Sequence, residues 1–449
     1  KELLERNNRR EGPIFEGDES ILWSVTKDPF KYKDLSLSRI INSKWFLKGN
    51  SSRNIVLNSY AELQNSYLYL KLDSIKSATM GFYVDPNYKK SNVFANFNFL
   101  LIAMDGHHGT AGHNRKFYYN NFLQEFEPIY YDGDLNIIKD PSKKEVNKWL
   151  KRLKFSNNFK FEGLNKINEK NFFINLENDF KKRVIKYSDY ENKFFNDSMK
   201  AFVKNINYLQ GKIYTIEDNY DFNFDDPSLR TWYLKRIKEL NKDINVIDSL
   251  TFNGDQSILY IRDKTPVKVS LLELSRILAR KKLKGKLHKE SFIFLPYKNK
   301  SNLSNFKNIE FINSKIITSP DLILNINKSD KKIYIKQQKI TDWILFNGGD
   351  FSNWTIRFDG LKISENSSLK GQRFNSFGLT GCLNFYNSNF KYTKLITKGG
   401  KCEDSINIVN SEGKLSEIKV EQSFQDSIDL DFSNLILDKI SSVCSPSLG

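Results

Sequence analysis

The segment Asp404-Ser405-Ile406-Asn407-Ile408 returns 22 residues later as Asp426-Ser427-Ile428-Asp429-Leu430, and Cys382-Leu383-Asn384-Phe385 stands one similar step before them. A unit this short, with one alternating strand per step, has to stack on its neighbour to bury its apolar side. That pattern predicts a right-handed parallel β-helix, with Ile406 and Ile428 in register on adjacent coils. The same character begins near residue 301. Ile309-Glu310-Phe311-Ile312, Leu322-Ile323-Leu324, Ile333-Tyr334-Ile335, Trp343-Ile344-Leu345-Phe346 and Trp354-Thr355-Ile356-Arg357-Phe358 read as strands between Asn, Gly and Asp turns. Asn at such turns can form stacked side-chain ladders. The chain begins without Met and stops at Ser445-Pro446-Ser447-Leu448-Gly449 directly after strand-like sequence, so it reads as a piece of a longer protein, truncated at both ends, with its last coil uncapped.

A length of 449 residues suggests about three domains, and 39% hydrophobic with 14% aromatic residues is enough to bury cores and exclude a disordered chain. The expected organisation is α+β and multidomain: a helical unit over 1–210, a mixed connecting segment over 211–300 and the β-helix over 301–449. Ser91 to Ala103 has helical spacing in Val93, Phe94, Phe97, Leu100 and Leu101. From Lys143 to about Gln210 an amphipathic pattern places Phe180, Val184, Tyr187, Phe195, Met199, Phe202 and Ile206 on a buried stripe. A further helix is expected from Ser270 to Lys284, with Leu271, Leu274, Ile277 and Leu278 on one face and a solvated cationic tail of Arg280, Lys281, Lys282, Lys284 and Lys286.

The net charge of +17 favours anionic partners without choosing among them. Abundant Lys, Asn, Ile and Phe beside little Ala also fit an AT-rich coding sequence, which discounts the charge, and no nucleic-acid partner is expected. The charge is polarised: residues 401–449 carry 4 Lys/Arg against 9 Asp/Glu, a net −5, which leaves +22 elsewhere. Glu403, Asp404, Asp426, Asp429 and Asp431 would make a carboxylate ladder for a cation or for sugar hydrolysis, or else simply face solvent. Cys382, Cys402 and Cys444 are too few for a disulfide scaffold and none has CxxC spacing, so the compartment stays open. No run approaches 18 apolar residues, so no transmembrane segment is expected in this stretch.

Three of the four histidines fall in Met104-Asp105-Gly106-His107-His108-Gly109-Thr110-Ala111-Gly112-His113-Asn114-Arg115, directly after the apolar helix, and Pro128-Ile129-Tyr130-Tyr131-Asp132-Gly133-Asp134 follows. Such density of polar groups around glycines is costly to bury without partners, and glycines let a loop close on a ligand. An Asp on one loop and an Asp-x-Asp on the next are the equipment for holding Mg²⁺ through oxygen and accepting a hydroxyl proton.

Asn98 to Tyr118 with Pro128 to Asp134 resembles the CotH-like (spore-coat) kinase family, an atypical protein-kinase-like group with an Asp-Gly, a following His-Asn, an aromatic strand and a Pro-x-Asp-x-Asp metal loop. Asp105-Gly106, His113-Asn114, Phe117-Tyr118-Tyr119, Pro128 and Asp132-Gly133-Asp134 stand at those places. The departures are two extra residues between Pro128 and Asp132, Arg115 after the Asn and an expanded His107-His108-Gly109 loop.

The resemblance, which covers residues 1 to 210, implies a kinase-like helical C-lobe there, and the repeat-bearing segment after it resembles a pectate-lyase-like right-handed β-helix. The kinase resemblance also implies ATP with Mg²⁺ or Mn²⁺ and a protein or saccharide hydroxyl as phosphate acceptor. Asp105 would be the catalytic base, with His113 beside it on the catalytic loop. Asn114 and Asp132 or Asp134 would hold the metal. No Gly-rich phosphate loop or strand Lys precedes them, so the nucleotide lobe is expected upstream. The competing chemistry is a metal-dependent hydrolase with His107, His108 and His113 plus Asp132 or Asp134 as ligands. A third reading is a non-catalytic cell-surface protein that binds glycan on the β-helix through rings among Trp343, Phe346, Trp354, Phe358 and Tyr386, with at least half of these expected in the core instead. The expected location is extracellular or in the cell envelope.

Overall fold

The computed structural model describes residues 2–17, 38–77, 86, 91, 93–110, 114–153, 178, 192–213, 244–279, 291–294, 306–362, 375 and 377–444. After a short helix α1 (Glu2–Arg6), strand β1 (Ile14–Glu16) pairs antiparallel with β2 (Arg39–Ile40) and β3 (Lys116–Asn120), and β3 pairs with β4 (Glu125–Ile129). Between β2 and β3 run α2 (Asn50–Ser77) and α3 (Val93–Ala103); the expected helix is there, but of its five spaced residues only Phe94 and Leu101 are buried, joined by Phe99 and Ile102, while Val93, Phe97 and Leu100 are half-buried. Then come α4 (Lys143–Leu153) and α5 (Asn192–Ile213); Met199, Phe202 and Ile206 of α5 pack in one cluster with Trp149 of α4. Phe195 lies on the same helix, and Phe180, Val184 and Tyr187 of the expected stripe lie outside the described residues.

A second sheet, in the order β7-β6-β5-β8, is made by β5 (Ile244–Asn253), β6 (Gln256–Ile261), β7 (Val267–Ser270) and β8 (Ser291–Phe294). Helix α6 (Leu271–Leu278) follows β7 directly. Ser270 and Glu273 form a reciprocal capping box at its start, and Leu271, Leu274, Ile277 and Leu278 are buried. The cationic tail Arg280 to Lys286 lies outside the described residues. This second sheet shares one hydrophobic core with the first unit. The Tyr60 and Phe294 rings meet edge to face at 5.4 Å, and the Phe294 backbone N–H donates to Gln64 Oε1 at 2.8 Å.

From Lys307 onward the chain is a β-solenoid of about four turns. It opens with two antiparallel hairpins, β9 (Lys307–Phe311) with β10 (Ser314–Thr318) and β11 (Ile323–Asn327) with β12 (Lys332–Lys336). They occupy the first edges of the two stacks, where a bare parallel strand would template pairing with another chain. Parallel coils follow. One sheet runs through β13 (Ile344–Gly348), β16 (Gly381–Tyr386), β18 (Asp404–Val409) and β20 (Asp426–Asp431). The other runs through β14 (Asp350–Ser352) and β15 (Thr355–Asp359), then β17 (Asn389–Lys398), β19 (Glu412–Ser423), and β21 (Asn434–Leu437) with β22 (Ile440–Cys444).

Ile406 and Ile428 are register partners, as the repeat requires, and Leu383 precedes them in the same row. Identical inward positions make like-on-like columns: Phe346 and Phe385 stack at 5.1 Å, and Ile333, Ile356, Leu395 and Ile418 align across four strands. The corner between the sheets repeats as Asn387-Ser388, Asn410-Ser411 and Phe432-Ser433, whose first residues take φ of 54°, 50° and 51°. The ladder there is built from serine, not from the asparagine expected. Ser388 N–H donates to Ser411 Oγ at 3.0 Å and Ser411 N–H to Ser433 Oγ at 3.1 Å, satisfying donors that a tight corner would otherwise strand.

Trp343, Phe346, Trp354, Phe358 and Tyr386 are all buried, which corrects the expectation that they offer rings to a glycan. Phe346, Trp354 and Phe358 pack in the interior of the coil, and Trp343 and Tyr386 lie in a second cluster outside it, because β16 and β18 are covered on both faces. Their inward face closes the coil, and their outward face receives the first unit: the Phe122 and Tyr386 rings stack at 5.0 Å with 5° between planes.

Cys382 and Cys402 form a disulfide across a sequence separation of 20 residues, about one coil. Cys402→Ser is expected to destabilise the solenoid by about 3 kcal/mol, the worth of closing a loop of this length. The check is the urea midpoint: reductant should lower it in the wild type and leave the variant unchanged.

Candidate functional site

Helix α3 ends in a Schellman motif. Asp105 N–H donates to Ile102 O at 3.0 Å and Gly106 N–H to Leu101 O at 2.7 Å, which places Asp105 at the left-handed residue with φ 52°. Glycine is the ordinary occupant of that position, and a side chain there costs about 1 kcal/mol. An aspartate held at such a point is better explained by its carboxylate than by the turn.

The chain then makes one 3₁₀ turn, His107–Thr110, and Gly106 and Gly109 let the second loop approach. A Cβ on Gly109 would stand 3.0 Å from Gly133 Cα, and one on Gly106 would meet Leu135 Cδ2 at 2.3 Å. The close approach predicted for these glycines is thus between loop and loop. Asn136 N–H donates to Met104 O at 3.0 Å and Asn205 Nδ2 to both Ala103 O and Ile138 O at 3.1 Å, so both loops are fixed from below. Asp132 and Asp134 also sit at positive φ, 46° and 49°.

The structure brings Asn114 and Asp132 together at His108 and sets Asp105 against the neighbouring His107. His107 Nδ1 is 3.1 Å from Asp105 O and 3.5 Å from its Oδ1. His108 Nδ1 is 3.0 Å from Asp132 O and 3.5 Å from Asp132 Oδ2, and Asn114 Nδ2 stands 3.0 Å from the same ring nitrogen while donating to His108 O at 3.1 Å. That nitrogen serves Asp132 in one tautomer and Asn114 in the other. Asp134 is exposed at the end of the second loop. His113 lies outside the described residues.

Arg115, a departure from the family pattern, is buried; its Nε donates to Thr110 O at 3.2 Å and its Nη2 to Asn98 Oδ1, tying the loop to α3. Two residues of α4 reach Asp105 without any signal in the sequence beyond an amphipathic helix. Trp149 Nε1 donates to Asp105 Oδ1 at 2.8 Å, and Lys148 Nζ is 3.8 Å away. Among the described residues no group of three His, Cys, Asp or Glu side chains is placed to hold a metal ion.

The acidic residues of the solenoid are divided in use. Arg10 donates to Thr380 Oγ1 at 3.1 Å and Asn407 Oδ1 at 3.0 Å, and pairs with Asp429 at 3.2 Å and Asp431 at 2.8 Å. Asp404 beside them is buried and pushed up to about 7, by desolvation first, with Asp429 and Glu403 adding repulsion and the Thr380 hydroxyl and Arg10 opposing. These carboxylates join the first unit to the solenoid. Among the described residues, no helix is long and apolar enough to cross a membrane. Compared with known protein families, with curated proteins and with solved structures, the chain matches none.

Proposed function

We propose that the chain is a CotH-like phosphotransferase whose kinase-like lobe moves a phosphate from ATP to a protein or saccharide hydroxyl, held on a solenoid outside the cytoplasm or in the cell envelope. The observation that carries this reading is the meeting of the two loops, with Asp105 set on a strained helix end and Asn114 and Asp132 converging on one imidazole nitrogen. Mg²⁺ is bound through one or two carboxylates together with substrate phosphates rather than by an all-protein cage. An amide and a carboxylate from Asn114 and Asp132, with Asp134 alongside, suit that demand in donor type. The metal would neutralise charge on the transferring phosphoryl group. Asp105 would take the acceptor's proton, and Gly106, Gly109 and Gly133 keep the loops close enough for the groups to act together. The Cys382–Cys402 bond supports an oxidising compartment.

Isothermal titration of the full-length protein tests the reading. ATP should bind in a Mg²⁺- or Mn²⁺-dependent manner, and Asp132→Ala should abolish the metal-dependent part. The hydrolase reading would instead show stoichiometric Zn²⁺ lost on His107→Ala, His108→Ala or His113→Ala. That result, together with no nucleotide binding, would sink the kinase assignment.

A further inference from the structure

We propose that Trp149 is a positioning residue for Asp105, an inference that rests on Asp105 acting as the base. The indole is fully buried and held by Phe99, Ile102, Phe202 and Leu209, so its direction is fixed before any substrate arrives. Its N–H donates to Asp105 Oδ1 at 2.8 Å from a position 44 residues away in sequence. His107 Nδ1 at 3.5 Å and Lys148 Nζ at 3.8 Å approach that same oxygen.

Among the described residues no donor stands within hydrogen-bonding distance of Oδ2. A carboxylate has two acceptor oxygens, and a base needs one of them with a lone pair aimed at the acceptor hydroxyl. Anchoring Oδ1 from the protein side leaves Oδ2 to face the substrate. The backbone alone does not supply this orientation, because a left-handed turn fixes where Cβ points and leaves the carboxylate free to rotate about its side-chain bonds. Trp149 removes that rotation. Lys148 stands next to it on α4 and is half-exposed, so its ammonium supplies charge where the indole supplies direction.

The test compares steady-state kinetics of the full-length wild type with Trp149→Phe, Asp105→Ala and the double variant. Phe keeps the aromatic volume and deletes only the N–H. The expected result is a kcat lowered by roughly 10- to 100-fold with KM for ATP unchanged, as for a group that is misaimed rather than unbound. In the double variant Trp149→Phe should cost nothing beyond Asp105→Ala, because its effect passes through that carboxylate. A second measurement needs no activity: the indole N–H proton resonance of Trp149 should shift when Asp105 is replaced by Ala. A wild-type kcat in Trp149→Phe, an equal loss in the Asp105→Ala background, or an unmoved indole resonance would each overturn the inference. A wild-type protein that transfers no phosphate would remove the base reading and this inference with it.

Discussion

Asp105→Ala is expected to leave ATP and metal bound and to slow phosphoryl transfer by roughly 10²–10⁴-fold, the usual worth of a positioned proton acceptor. The expectation separates the base from the metal-holding groups. Asn114 and Asp132 contact His108, whereas Asp105 contacts His107, so removing the Asp105 side chain takes no partner from them. The left-handed φ gives the variant no compensating gain, since Ala tolerates it less well than Asp. A single-turnover measurement with saturating ATP reads the chemical step alone. Unchanged transfer, with nucleotide affinity also unchanged, would show that the acceptor proton leaves by another route.

The second large effect concerns stability. Asp404 is buried and its folded value is about 7, against an ordinary aspartate near 4. A carboxyl that binds its proton more tightly when folded contributes stability that is fully present below the unfolded value and is lost as pH rises through the folded one. About three pH units at ~1.4 kcal/mol each amount to ~4 kcal/mol lost between pH 4 and pH 8. Asp404→Asn keeps the shape and has no proton to lose. Its urea midpoint should match the wild type near pH 4 and exceed it increasingly toward pH 8, and parallel curves for the two proteins would refute the assignment.

The solenoid was legible because its information is local. A period that returns Asp404-Ser405-Ile406 as Asp426-Ser427-Ile428 dictates which residues stack, and the register follows. The two glycine-rich loops were legible for a related reason, since close approach needs glycine and glycine is visible in the sequence. Trp149 and Arg10 were not, because an indole N–H or a guanidinium reveals its partner only once helix phase and docking are set. The buried aromatics were misassigned for the same reason. Alternation says that Tyr386 and Trp343 share a face, and it cannot say that Phe122 of the first unit covers Tyr386 or that Phe306 and Phe377 cover Trp343. The disulfide did leave a clue, for a Cys–Cys separation of 20 is close to the coil period, which puts the two thiols on neighbouring turns.

A stack of coils normally grows or frays one unit at a time, each depending only on its neighbour. Arg10 breaks that rule by touching three successive turns at Thr380, Asn407, and Asp429 with Asp431. During synthesis this guanidinium meets its Asn407 partner only after 397 further residues have been added, a delay of about 20–80 s at ordinary translation rates. The seam at Arg10 therefore closes only after the three coils that carry its partners have been made.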